Sequence, residues 1–191
     1  PVAAAQELLH TAILMHDDIV DEDTMRHGEP NINGIYQAKY HPHLSAEHSV
    51  HYSYAAGLVA GDALLSEAYQ LIATSGLPAN VIARLTKQLH ESIFEVIGGE
   101  LMDIEASIIH DASYDPMLIY RYKTAGYSFI GPLLSGAICN NPTEETWTLL
   151  KEIGLQLGIA FQLQDDLLGV FGNEALLGKV RMFLKLYLQN H

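Results

Sequence analysis

KEIGLQLGIAFQLQDDLLGVF, residues 151–171, is apolar nearly all the way round when wound as an α-helix, through Ile153, Leu155, Leu157, Ile159, Ala160, Phe161, Leu163, Leu167, Leu168 and Val170. A helix of that kind is expected inside a bundle. The same stretch carries Gln162, Gln164, Asp165 and Asp166. Buried carboxylates are costly unless paired or bound to a cation, so a positive partner is expected beside Asp165 and Asp166.

Working outward, apolar residues recur at three- and four-residue spacing over residues 1–20, 57–73, 78–110, 115–139 and 142–170, which predicts helices. Turn and cap clusters separate them at 28–30, 75–78, 111–115 and 140–142. Short breaks imply antiparallel neighbours. No convincing run of alternating strand residues is present. Residues 31–50, with Pro42, His41, His43 and His48, read as an irregular surface connection. His48 and His51 read as polar loop residues, since no third metal ligand is specified nearby. The expected fold class is all-α, an antiparallel helical bundle.

The 191 residues suffice for a single domain. A formal charge of −13, from 23 acidic residues against 10 Lys plus Arg, opposes binding to nucleic acid and suits recruitment of hard cations. One cysteine, Cys139, excludes an internal disulfide, agrees with a cytoplasmic location and reads as a packed small residue. No apolar run approaches the roughly 20 residues that span a bilayer, and no leader-like segment opens the chain, so no transmembrane segment is expected.

The first predicted helix ends in His16-Asp17-Asp18-Ile19-Val20-Asp21-Glu22-Asp23. Asp17 and Asp21 are four apart, so both carboxylates leave one face. Carboxylates at a helix C-terminus oppose the macrodipole and repel one another, a local penalty that a divalent metal removes. Magnesium takes oxygen ligands and commonly completes its shell with phosphate oxygens, so two acidic helices point to a phosphate ligand. The bland alternative is two unrelated solvated acidic turns.

With these residues in view, residues 8–30, LLHTAILMHDDIVDEDTMRHGEP, resemble the first aspartate-rich region of trans-type prenyl diphosphate synthases, and residues 161–179, FQLQDDLLGVFGNEALLGK, resemble the second. Between them, YKTAG at 122–126 is similar to the family's Lys-Thr element and GDALL at 61–65 to the helix that follows the first motif. The resemblance implies the isoprenoid synthase fold, a helical bundle around a central cavity. It also implies condensation of isopentenyl diphosphate with an allylic diphosphate to a longer trans-prenyl diphosphate and diphosphate.

By that resemblance Asp17 and Asp21, supported by Asp18, hold two magnesium ions and Asp165, supported by Asp166, a third. Arg26, Lys123 and Lys179 grip the allylic diphosphate. Lys123, Thr124 and Gln162 form the catalytic set, with Thr124 and Gln162 close to the developing cation and Gln162 also touching substrate. His27 stands where a second arginine commonly holds isopentenyl diphosphate. Leu9, Ala12 and Ile13 line the path of the growing chain. Ala12 is small where relatives often place a plug, so a product of C20 or longer is expected, and a homodimer is expected from the family.

The chain departs from the pattern in three ways. Gly169 replaces the last acid of the second motif, His27 replaces an arginine, and the basic Gly-Lys-x-x-Arg segment that precedes the first motif in relatives is not in the sequence. Residues 1–191 are accordingly read as one isoprenoid-synthase domain lacking N-terminal helices and part of the C-terminal region, with a break expected between Lys179 and Val180. Two other readings remain: a class I terpene cyclase, whose second metal motif normally mixes Asn, Ser or Thr and Glu, and a non-catalytic partner subunit of a heteromeric synthase.

Overall fold

A computed structural model describes residues 1–109 and 115–171, apart from the Val170 side chain. Among them the architecture is all-α, as expected. The helices are α1 (Val2–Val20), α2 (Ile32–Tyr40), α3 (Ala46–Ala73), α4 (Ala79–Ile109), α5 (Pro116–Ile119), α6 (Gly131–Ile138) and α7 (Glu144–Phe171), with a π-helical segment, Tyr120–Ile130, joining α5 to α6. No described helix is long and apolar enough to cross a membrane. The described residues divide into two compact units, 1–10 with 67–164 and 11–66 with 165–171.

In the first unit α4 packs against the π-helical segment and α6. Leu85, Leu89 and Val96 of α4 are buried, as are Ala125, Ile130, Leu134 and Ile138 of the opposing segment. Trp147, Leu150 and Leu155 of α7 pack against Ala125, Ile130 and Leu134. Glycines permit the close approaches. A Cβ on Gly99 would lie 2.6 Å from the Tyr122 carbonyl carbon and 2.7 Å from Lys123 Cα, and one on Gly158 would lie 2.5 Å from Ala125 Cα. Any side chain at either place forces the helices apart, and overpacking of this sort costs about 1–3 kcal/mol. Deeper in the unit runs a polar seam: Gln6 donates through Nε2 to Ser135 Oγ at 2.9 Å, and Gln88 to Ser92 Oγ at 3.4 Å.

In the second unit α1 ends at Val20 with Glu22 in the left-handed region at φ 57°. Asp23 N–H reaches back to Asp18 O at 2.9 Å, which closes the helix end. A short antiparallel ladder pairs Met25 with Pro30 and Arg26 with Glu29. Its two turn residues, His27 at φ 53° and Gly28 at φ 80°, are both left-handed, the geometry of a type I′ hairpin. Asn31 then caps α2 by accepting from Gly34 N–H at 3.0 Å.

Four expectations change here. Residues 31–50 are not one irregular connection, because α2 and the first turn of α3 lie within them. The inward positions there are polar: Asn33, Ser49 and Ser53 are fully buried, so no apolar period marks the helices. The hydroxyls of Ser49 and Ser53 are satisfied by Ala46 O at 2.8 Å and Val50 O at 2.7 Å. The hairpin is a strand pair too short to show alternation. Cys139 is exposed instead of packed, its Sγ 3.4 Å from Ser135 O.

The fourth change concerns α7. Leu149, Ile153, Leu157, Phe161, Leu167 and Leu168 are all exposed, and so are Asp165 and Asp166. Among the described residues this helix lies on the outside, with only the Gly154 and Gly158 face fully covered. Both aspartates are exposed, so the burial penalty that the apolar pattern predicts does not act on them here.

Candidate active site

The π-helical segment governs where the Lys-Thr element points. A π-helix closes i→i+5 bonds, and Gly131 N–H does bond to Gly126 O. Successive side chains leave the wide helix toward different neighbours. Lys123 turns to α4, its Nζ 2.6 Å from Asp103 Oδ2 and 3.2 Å from Glu100 Oε2. Thr124 is buried and turns to α7, donating through Oγ1 to Gln162 Oε1 at 2.6 Å. Ala125 meets Gly158 one turn before Gln162. Of the three residues expected to be catalytic, Thr124 and Gln162 are thus in contact, whereas Lys123 faces the acids of α4, all within the first unit. A wide helix of this kind is common at functional sites.

The second unit holds both aspartate clusters. Asp17 and Asp21 bring carboxylate oxygens within 4.8 Å of one another. Asp21 N–H bonds to Asp17 O at 2.8 Å, so the helical turn carries on through both residues. Both side chains are half-buried, and an all-oxygen pair at that separation fits a hard divalent cation. Asp18 serves differently. It is 2% exposed and accepts Arg26 Nε at 3.0 Å and Nη2 at 2.6 Å. Arg26 Nη2 also reaches Asp17 Oδ2 at 3.2 Å and the Leu14 carbonyl at 3.5 Å. Burial, the largest influence on Arg26, favours its neutral form, but hydrogen bonds and charge attraction to Asp18 and Asp17 together hold its pKa above the usual arginine range.

His16, just ahead of Asp17, lies 3.4 Å from Leu58 O and 3.6 Å from Asp62 Oδ1, against the bare Cα of Gly61. That contact gives GDALL at 61–65 its place beside the first aspartate cluster. His27 is exposed in the hairpin turn. Of the proposed chain-length residues, Leu9 and Ala12 are fully buried and Ile13 half-buried. Lys179 and the expected break after it lie outside the described residues.

Two further features stand outside the motifs that the sequence pattern marks. One is the acidic pair Glu100 and Asp103 around Lys123. A Gly-Gly-Glu-x-x-Asp run at 98–103 could have flagged it, because two acids three apart share a helix face. The other is a cavity of about 450 Å³ in the first unit, walled by Gln6, His10, Tyr127 and Ser128 among others. His10 stacks on Tyr127 at 5.2 Å between ring centroids, and its Nδ1 lies 3.4 Å from Ser128 Oγ. Gln6 Oε1 is buried there without a hydrogen-bond partner. Its walls come from segments more than 100 residues apart, which no local pattern reveals.

Comparison with known proteins settles the family. The sequence matches the polyprenyl synthetase family over residues 1–182. This chain belongs to that family. Among curated polyprenyl synthetase relatives, it is 34% identical to the geranylgeranyl diphosphate synthase of Sulfolobus acidocaldarius over 92% of this chain and 49% of that protein. It is 31% identical to the geranylfarnesyl diphosphate synthase of Aeropyrum pernix over 94% of this chain and 52% of that one. Among solved structures, the geranylgeranyl pyrophosphate synthase of Corynebacterium glutamicum, complexed with isoprenyl diphosphate and magnesium, superposes with a TM-score of 0.85 at 35% identity. That match covers 93% of this chain and 50% of its counterpart. The chain therefore spans about half the length of the polyprenyl synthetases it matches.

Proposed function

We propose that this polyprenyl synthetase chain takes part in condensing isopentenyl diphosphate with an allylic diphosphate, giving a trans-prenyl diphosphate of C20 or longer and diphosphate. The observation that carries the reading is the Asp17–Asp21 pair, whose oxygens stand within 4.8 Å of each other on one helical turn. Family membership and the magnesium and isoprenyl diphosphate in the Corynebacterium glutamicum structure support it.

Bound magnesium would supply charge neutralisation at the departing diphosphate. Asp17 and Asp21 would hold it, and Asp165 with Asp166 would hold the remainder of a three-ion set. Asp18 anchors Arg26, and Arg26 Nη1, outside both ion pairs, is the donor we assign to the diphosphate. Lys123 supplies a second positive group toward the charge that builds as the C–O bond breaks. Gln162, held through Oε1 by Thr124, is placed at the substrate by the family resemblance. Thr124 Oγ1 keeps lone pairs for the developing cation, since its hydrogen is committed to Gln162. A homodimer is the assembly that the family resemblance implies.

Incubation of the complete gene product with magnesium, labelled isopentenyl diphosphate and geranyl or farnesyl diphosphate, followed by chain-length analysis, tests the reading. Elongation to C20 or beyond is expected. Absence of extension with every primer would replace it with the partner-subunit reading, and release of a cyclic hydrocarbon with the cyclase reading.

A further inference from the structure

We propose that Glu100 and Asp103 are positioning residues that hold Lys123 ready for a metal-complexed diphosphate and bias the site against the bare anion. The inference rests on the reading of Lys123 as a diphosphate ligand.

The geometry comes first. Lys123 Nζ lies 2.6 Å from Asp103 Oδ2 and 3.2 and 3.3 Å from the two Glu100 oxygens. The Lys123 and Glu100 side chains are 22% and 20% exposed and that of Asp103 is 44% exposed, so Glu100 forms the better shielded arm of the clamp. The two acids stand three apart on α4 and share a face. Gly99 lets that face approach. Its Cα carries nothing where α4 meets the Tyr122–Lys123 backbone, so the next residues come within reach of the lysine head.

A lysine on a four-carbon stem otherwise samples many rotamers, and substrate binding would have to freeze it. Two carboxylates freeze it beforehand, so the ammonium is in place as charge develops on the leaving group. The charge balance adds discrimination. One ammonium against two carboxylates leaves the trio net negative, which repels a bare diphosphate. A magnesium complex carries less negative charge and is repelled less.

The test uses the complete gene product and the variants Glu100→Gln, Asp103→Asn and Lys123→Ala, singly and combined. Each acid variant is expected to lower kcat/KM for the allylic diphosphate about ten-fold, the range seen when a group that orients a ligand is lost. In the Lys123→Ala background neither should lower it further, because both act through the lysine. Calorimetric titration with inorganic diphosphate in EDTA should show several-fold tighter binding to Asp103→Asn than to the parent. A merely structural role would not produce that gain.

Undiminished kinetics in both acid variants, or losses that persist in the Lys123→Ala background, would overturn the proposal while leaving the proposed function standing. Parental turnover in Lys123→Ala would overturn this proposal together with the lysine's assigned role. A parent protein inactive with every primer would overturn the proposed function, and the metal-free titration then decides here: equal binding by parent and Asp103→Asn sinks the inference.

Discussion

Thr124 donates its hydroxyl hydrogen to Gln162 Oε1 across 2.6 Å, and this bond ties the π-helical segment to α7 beside the Ala125–Gly158 contact. Thr124→Val keeps the shape and removes the donor. Losing one partner of a buried hydrogen bond costs about 1–3 kcal/mol. The variant is expected to melt at lower temperature and to turn over far more slowly, whereas Thr124→Ser, which retains the hydroxyl, should recover most of both. Paired thermal melts and turnover measurements check this, and a Thr124→Val protein matching the parent in both would refute it.

Arg26 is what makes a buried Asp18 tolerable. Replacing it with alanine strands a carboxylate that is 2% exposed, and breaking such a pair from one side costs about 3–5 kcal/mol. Urea denaturation of Arg26→Ala should show a loss of that order. Arg26→Ala/Asp18→Leu should regain much of it, since the uncompensated charge goes too. The pH sign follows from the guanidinium. Its folded pKa lies above the ordinary value, so its contribution is complete below that value and fades only as pH climbs through the folded one. Alkaline titration across the usual range should therefore leave this pair intact.

Metal dependence is read from Asp17 and Asp21. Chelation of divalent ions should abolish turnover and added magnesium should restore it. Asp17→Asn and Asp21→Asn should each reduce kcat by at least about a hundred-fold, on the scale of losing one group that stabilises developing charge. Both should also raise the magnesium concentration needed for half-maximal rate. Magnesium dependence left unchanged in both variants would remove these residues from the metal site.

Much of this was legible in the sequence because it was written at helical spacing. Asp17 and Asp21 at four residues, Gln162 beside Gly158, and the breaks at 75–78 and 140–142 all follow from local geometry. The failures share one physical cause. Periodicity reports which residues are apolar, and burial here does not always follow apolarity. Ser49, Ser53 and Asn33 are buried although polar, the two hydroxyls bonded within their own turn and Asn33 Nδ2 to Asp23 O, so no apolar period marks α2 and the start of α3. On α7, Leu157, Phe161 and Leu167 are exposed in a chain that spans about half the length of its relatives. The Glu100–Asp103 spacing marks an acidic helix face, but its pairing with Lys123 depends on α4 meeting the Lys-Thr element at Gly99, a tertiary contact that spacing does not show.

Tyr54 gives a pH handle on the second unit. Burial chiefly, then the negative charges of Glu22 and Asp23, push its phenol above the ordinary value. The folded state therefore keeps this proton where the unfolded chain releases it. Stability from the neutral phenol is fully present below a pKa of about 10 and is lost as pH rises above that. Denaturation at pH 9 and pH 10.5 should show a loss between the two that is smaller in Tyr54→Phe. Equal losses in the two proteins would exclude the assignment.

Ala12 is the position from which product length can be tested. It precedes Asp17 by five residues on α1, which places it about 7.5 Å along the axis at 1.5 Å per residue. A chain growing away from a diphosphate held at Asp17 meets this level after little more than one helical turn. Ala12 is fully buried, so a phenyl ring there has two possible fates. If it projects into the chain's path, Ala12→Phe should stop elongation early, giving C15 where the parent gives C20 or longer, with turnover preserved. If it strains the packing instead, stability should fall by about 1–3 kcal/mol with no change in product. Chain-length analysis beside a thermal melt separates the two, and an unchanged product would move the length-determining wall away from α1.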